Sequence, residues 1–171
     1  MICQNNEQSA LLERALAHLK PQSTILDLAC GNGRNGLYLA GLGHNVTYLD
    51  RNEQSLIDIV KQDKNAKCIT ADLETTPVYQ LPVAQFDAII VFRYLHRPLF
   101  PSIVNALKPG GVIVYETFNH QQAAIGRPKN PNFLLQNNEL STLLSGFKPL
   151  YQFDGFDEQQ QAYISQFIGR N

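Results

Sequence analysis

The chain has 171 residues, 44% of them hydrophobic and 17% charged, with a net charge of −1. That length suits one domain with its own core. The charge balance excludes a global basic field for holding nucleic acid, leaving only a local basic patch to consider, and no apolar run reaches the ~20 residues of a membrane helix.

Residues 7 to 20 carry Leu11, Leu12, Ala15, Leu16 and Leu19 at helical spacing, with Glu7, Glu13 and Arg14 off that stripe, and Pro21 ends the run. An amphipathic helix over 7–20 is predicted. Thr24 to Leu28 is apolar enough for a buried strand and breaks into a turn with glycines at 31, 33 and 36. Leu37 to Ala40 then resume at a helical rhythm until Gly41-Leu42-Gly43-His44 closes the helix. Val46 to Asp50 is a second strand ending on an acid. Residues 53 to 62 form a crossover helix, and Lys67 to Ala71 a third strand followed by Asp72. Thr75 to Pro82, with two prolines, is a loop. Phe86 to Phe92 is a fourth strand, buried on both faces. Ile103, Val104 and Leu107 mark a helix stopped by Pro109-Gly110-Gly111, and Val112 to Glu116 is a fifth strand. Glu139 to Leu144 are helical. Lys148 to Phe153 and Gln161 to Ile168 are two strands joined by a turn at Asp154 to Glu158. Strands alternating with helices predict right-handed βαβ units and a parallel sheet. The terminal hairpin requires an antiparallel last strand.

The cysteines, Cys3, Cys30 and Cys68, are an odd number without paired spacing. They point to a reducing compartment with no disulfide framework. Cys30 and Cys68 read as small buried hydrophobes in preference to a catalytic thiol. Met1 to Asn6 shows neither a basic start nor an apolar signal core, so the cytoplasm is expected. No metal is expected.

The strand–glycine turn–helix at 24–40 presents a helix N-terminus, with free N–H groups and partial positive charge, above the strand. Gly31 and Gly33 let backbone approach a ligand. The spacing Gly31-x-Gly33-x-x-Gly36 matches the dinucleotide fingerprint. Asp27, inside the strand, would face a pyrophosphate badly and suits a ligand carrying an ammonium group. The order Leu-Asp-Leu-Ala-Cys-Gly-Asn-Gly resembles the first motif of class I S-adenosylmethionine (SAM) methyltransferases. Within them, Gly-Asn-Gly-Arg-Asn before Leu-Tyr-Leu-Ala resembles the small tellurite-resistance and thiopurine type. The resemblance covers residues 20 to 116 well and thins towards the C-terminus.

It implies an α/β, Rossmann-like fold: a seven-stranded, mainly parallel sheet with an antiparallel C-terminal strand and helices on both faces. It also implies a single methyltransferase domain, divided into an N-terminal helix (1–20), a cofactor core (21–116), a substrate loop (117–136) and a C-terminal helix and hairpin (137–171). The short N-terminal helix is expected to leave part of the cofactor cover of relatives to open access or to a partner subunit.

In such a sheet, ligands sit outside the carboxyl ends of the strands. Asp50 can accept two hydrogen bonds from a ribose diol, or cap the following helix. Asp72 can accept from an adenine amino group while the Leu73 N–H meets the ring, or be a solvated loop acid. The carbonyls of Phe92 or Arg93 could take the methionine ammonium, with Asp27 adding charge. By resemblance the cofactor contacts are Asp27, Gly31, Gly33, Asn35, Asp50, Arg51, Asp72, Leu73 and Phe92. For the acceptor, Arg93-Tyr94-Leu95-His96-Arg97 stands where base-methylating relatives carry Asn-Pro-Pro-Tyr, so that chemistry is disfavoured. His96 is a candidate general base or a helix-start histidine with no role. Arg93 and Tyr94 complete the candidate catalytic set, and Arg93 and Arg97 suit an anionic acceptor. The segment Thr117 to Gln136, with the basic Gly-Arg-Pro-Lys-Asn-Pro core around Arg127, is a lid or a plain solvated loop. Glu116 is a pocket acid or a partner for an arginine.

The expected function is SAM-dependent methyl transfer to a small molecule, with membrane excluded and nucleic acid disfavoured. An NAD(P)-binding oxidoreductase is the alternative from the glycine spacing and Asp50, opposed by Asp27, Asp72 and the hairpin. A methyltransferase-like partner subunit without activity is the third.

Overall fold

The computed structural model describes residues 7–171. The strands are β1 (Thr24–Leu28), β2 (Asn45–Asp50), β3 (Lys67–Thr70), β4 (Phe86–Phe92), β5 (Leu107–Phe118), β6 (Lys148–Asp157) and β7 (Ala162–Arg170). They form one seven-stranded sheet in the order β3-β2-β1-β4-β5-β7-β6. The first five pair in parallel, and β7 runs antiparallel to both β5 and β6.

The helices are α1 (Ala10–Leu16), α2 (Arg34–Gly41), α3 (Glu53–Gln62), α4 (Phe100–Ala106), α5 (Gln122–Ile125) and α6 (Glu139–Leu143). Strand residues alternate between two cores, as the period of two requires. Ile25, Tyr48, Ile90 and Val114 meet α1, α2 and α3, while Leu26, Leu28, Ile89 and Tyr115 meet α4 and α6.

Several sequence expectations shift. The fourth helix ends at Ala106, and Leu107, expected in it, opens β5. The first helix is shorter than 7–20. The Ser9 side chain accepts the Leu11 N–H and caps α1 at its start, and the helix stops at Ala17. The hairpin turn lies at 158–161, not 154–158. Gly155 pairs with Ile164, and Phe156 meets Tyr163 edge-on with centroids 5.1 Å apart, so aromatic pairing carries the strands four residues further. Cys68, expected buried, is exposed on the edge strand β3, while Cys30 is half-buried; Cys3 lies outside the described residues. Among those residues, no helix is long and apolar enough to cross a membrane.

Candidate active site

The turn after β1 is wound by residues with positive φ at 29, 31 and 33. Gly33 starts α2 at φ +73°, and a Cβ there would lie 2.6 Å from Ile59 Cδ1. Gly36 is equally constrained, since a Cβ would stand 2.5 Å from the Tyr48 ring and 2.6 Å from Asp27 Oδ2. The close approach lets the Gly36 N–H donate to Asp27 at 3.0 Å. Asp27 is therefore the brace beneath the turn. Burial pushes its carboxyl up to about 8; the Gly36 bond pulls the other way, and the Asp50 charge adds to the rise. Asp50, at the tip of β2, accepts from the Gly31 N–H at 2.8 Å and from the Asn52 N–H at 2.9 Å. Asn52, not Asp50, caps α3.

Above these strand ends lies a cavity of about 600 Å³. One end is formed by Ala29 of the turn, Asp50 and Arg51 after β2, and Ala71 to Glu74 after β3. Arg93, Tyr94 and Leu95, leaving β4, form the middle. Thr117, Phe118, Pro128 and Phe133 close the far end. No atom lies within 4 Å of a Cβ position on Gly31, so the approach over the turn is open.

Arg93 sits at φ +58° with its N–H bonded to the Glu116 carbonyl at 2.8 Å. Its guanidinium stacks 4.1 Å from the Phe118 centroid. Nη2 bonds Gln160 Oε1 and lies 3.8 Å from Glu116 Oε1. Glu116 is wholly buried, and its Oε2 accepts from Ser9 (3.2 Å), Gln160 (3.3 Å) and Gln166 (2.6 Å). Glu116 is thus the arginine partner, not a pocket acid. Burial lowers the Arg93 pKa and the Glu116 charge opposes that. Tyr94 is held by its carbonyl, which accepts from Tyr115 Oη at 2.9 Å. Its own Oη is buried with no hydrogen-bond partner among the described residues. Burial raises this phenol's pKa, and the Glu74 and Asp72 charges raise it further.

Of the residues expected from sequence, Asp50, Arg51, Asp72, Leu73, Arg93 and Tyr94 line the cavity. Others are placed differently. Asn35 accepts the Ser9 N–H at 2.9 Å and fastens the N-terminal segment. The Phe92 side chain belongs to the core on the α1 side. His96 precedes the short 3-10 turn 97–99 and is not part of the cavity wall, so its general-base role has no geometry behind it. Arg97 is not free for an anion. Its Nε and Nη2 grip Glu139 at 2.5 and 3.0 Å, and it donates to the carbonyls of Asn132 and Leu134. Arg127 is exposed and off the wall, although Pro128 beside it is on it. Residues 117–136 are folded, not a plain loop: Thr117 and Phe118 extend β5, and α5 and a 3-10 turn at 131–133 follow. Sequence reasoning held Leu95, Phe118 and Phe133 within its two acceptor segments without singling them out, since period and motif carry no signal for them. It missed Glu74, two residues beyond Asp72.

The family described as tellurite resistance protein TehB matches residues 6–151. The "Probable S-adenosyl-L-methionine-dependent methyltransferase TehB" of Haemophilus influenzae (strain ATCC 51907 / DSM 11121 / KW20 / Rd) is 37% identical over 91 residues, 49% of this chain and 30% of that protein. A tRNA (uracil(54)-C(5))-methyltransferase of Pyrococcus abyssi is 33% identical over 122 residues, 70% of this chain and 30% of that protein. The chain thus spans about 30% of the length of these curated relatives. The crystal structure of TehB from Haemophilus influenzae superposes with a TM-score of 0.75 at 20% identity, over 94% of this chain and 61% of that one. The strand order, the braced glycine turn and the match over residues 6–151 converge: the chain belongs to the TehB family, the tellurite-resistance type of class I SAM-dependent methyltransferase.

Proposed function

We propose that this chain transfers a methyl group from SAM to a small-molecule acceptor. The observation that carries the reading is the line of acids along one end of the cavity. Asp50 and Asp72 stand at successive strand tips, beside a turn left open over Gly31. Each Asp50 oxygen takes one backbone N–H and keeps a lone pair for a ribose hydroxyl. Asp72 and the Leu73 backbone suit an adenine edge. Tyr94, whose phenol keeps its proton at neutral pH, is a donor to the cofactor and not a base. Bound SAM supplies an activated methyl group on a sulfonium, open to in-line displacement by an acceptor. The protein's own part is to fix both partners and exclude water, and such positioning can contribute on the order of 7–11 kcal/mol. With His96 off the wall, the arrangement favours an acceptor already ionised or soft, which needs no protein base. A net charge of −1 supports a small acceptor over tRNA.

Calorimetric titration of S-adenosylhomocysteine and, separately, of NADH tests the reading. The first alone should bind, about tenfold more weakly or worse in Asp50→Asn, since a ribose then loses its charged acceptor. Binding of NADH alone would move the chain to the oxidoreductases.

A further inference from the structure

The acceptor's chemistry can be narrowed from the far end of the cavity, an inference that rests on the proposed cofactor site. The two ends are chemically unlike. The nucleoside end holds three carboxylates, Asp50, Asp72 and Glu74, suited to a ligand bearing a sulfonium. From the middle to the far end the wall is Arg93 and Leu95, then Thr117, Phe118, Pro128 and Phe133. Among these residues there is one charge, a guanidinium, and no carboxylate faces it from the cavity wall.

That guanidinium is set for a ligand. Its face rests on the Phe118 ring, and Nη2 is tied to Gln160. Glu116, behind it, gives its Oε2 to Ser9, Gln160 and Gln166 and stands 3.8 Å away without a direct hydrogen bond. Nη1 is buried with no partner among the described residues, an unmet donor that an anion could satisfy, while 27% of the side chain as a whole remains open. A planar cation held on one edge and one face loses little freedom when an anion meets it. Exposed Arg127 and Lys129 flank Pro128 and add positive potential at the same rim.

The rest of this end is apolar. Phe133, on the cavity wall, is 46% exposed. A large aromatic left open on a cavity wall suits contact with an apolar ligand. A compact inorganic oxyanion would lose hydration against such walls and regain one donor group. An organic acid fits both features. We infer that the acceptor is a small carboxylic acid with an aromatic or branched aliphatic body, its carboxylate on Arg93 and its body among Leu95, Phe118, Pro128 and Phe133.

The test uses protein saturated with S-adenosylhomocysteine, titrated with benzoate, 3-methylbutanoate, their neutral amides and tellurite. The carboxylates should bind about tenfold more tightly than the amides, the scale of one charge-assisted hydrogen bond, and more tightly than tellurite. Arg93→Gln should erase the carboxylate preference while S-adenosylhomocysteine affinity stays within about twofold. Phe133→Ser, at an exposed position, should weaken the carboxylates about threefold or more and leave S-adenosylhomocysteine unchanged. Amides equal to carboxylates, or a preference surviving in Arg93→Gln, would overturn the anion site. Tellurite as tight as benzoate would overturn the apolar body. Failure of S-adenosylhomocysteine to bind at all would overturn the proposed function first; its binding without any carboxylate preference would overturn this inference alone.

Discussion

Asp27→Asn isolates what the buried acid under the glycine turn does. Burial raises the Asp27 carboxyl from 3.8 to about 8 in the folded chain. The folded state therefore holds a proton that the unfolded chain releases near pH 4. The stability contributed by this protonation is fully present below about pH 4 and is lost as pH rises through about 8. Between pH 6 and 8 the loss comes to about 2 kcal/mol. For a chain of this length that is a fall in Tm of roughly 4–8 °C. The asparagine is neutral in both states and its oxygen can still accept the Gly36 N–H, so its profile should lack this fall. Thermal melts of both proteins at pH 6, 7 and 8 and constant ionic strength give the answer, and their difference cancels the titration of His44 and other groups common to both. Parallel profiles would refute a protonated Asp27. The same proton couples to ligand. A ligand ammonium nearby favours the ionised acid, so wild-type affinity for S-adenosylhomocysteine should rise from pH 6 to 8 and that of Asp27→Asn should rise less.

Two further substitutions probe the frame around the cavity. Gly36→Ala drives a methyl against the Tyr48 ring at 2.5 Å and Asp27 Oδ2 at 2.6 Å; both neighbours are buried, so differential scanning calorimetry should show a loss of roughly 1–3 kcal/mol. Arg97→Ala removes the two-pronged Glu139 contact and two carbonyl bonds; the pair is partly exposed, so the global cost should be only about 1 kcal/mol, with amide exchange accelerated selectively over residues 130–139.

What could be read from the chain divides along the same line as the cavity. Asp50, Asp72 and Leu73 were legible because a strand's last residue and those just after it fall at the carboxyl edge whatever their neighbours do, and the strands were marked by their own apolar runs. The parallel order and the antiparallel hairpin followed from segment lengths and handedness. Asn35 and Arg97 were misplaced because their partners are remote, and Glu116, left open between pocket acid and arginine partner, was decided by contacts equally remote. Asn35 meets Ser9, Glu116 meets Gln160 and Gln166, and Arg97 meets Glu139. No local period encodes contacts across 26 to 50 residues. The extent of the last strands was set by the Phe156–Tyr163 pairing across the hairpin, which overrode the turn chemistry of Asp154-Gly155.

The wall formed by residues 117–136 follows from such remote contacts as well, and its anchors lie outside the cavity. His120 donates its N–H to the Leu135 carbonyl at 2.8 Å, and Asn119 Nδ2 donates to the Ile164 carbonyl at 3.1 Å. Buried Gln122 accepts from the Tyr163 N–H at 2.9 Å and donates to the Arg127 carbonyl at 3.2 Å. None of these side chains lines the cavity, whereas Phe118, Pro128 and Phe133 do. The segment thus separates the groups that hold it from the groups it presents. Exchanging Phe133 should change which acceptors bind without loosening the segment, whereas Gln122→Ala should loosen it by leaving the Tyr163 N–H without its partner, a cost on the order of 1–3 kcal/mol. Amide exchange across 119–136 distinguishes the two. Equal loosening in Phe133→Ser and Gln122→Ala would show that the apolar wall is itself a structural element, and that acceptor choice on this fold cannot vary independently of it.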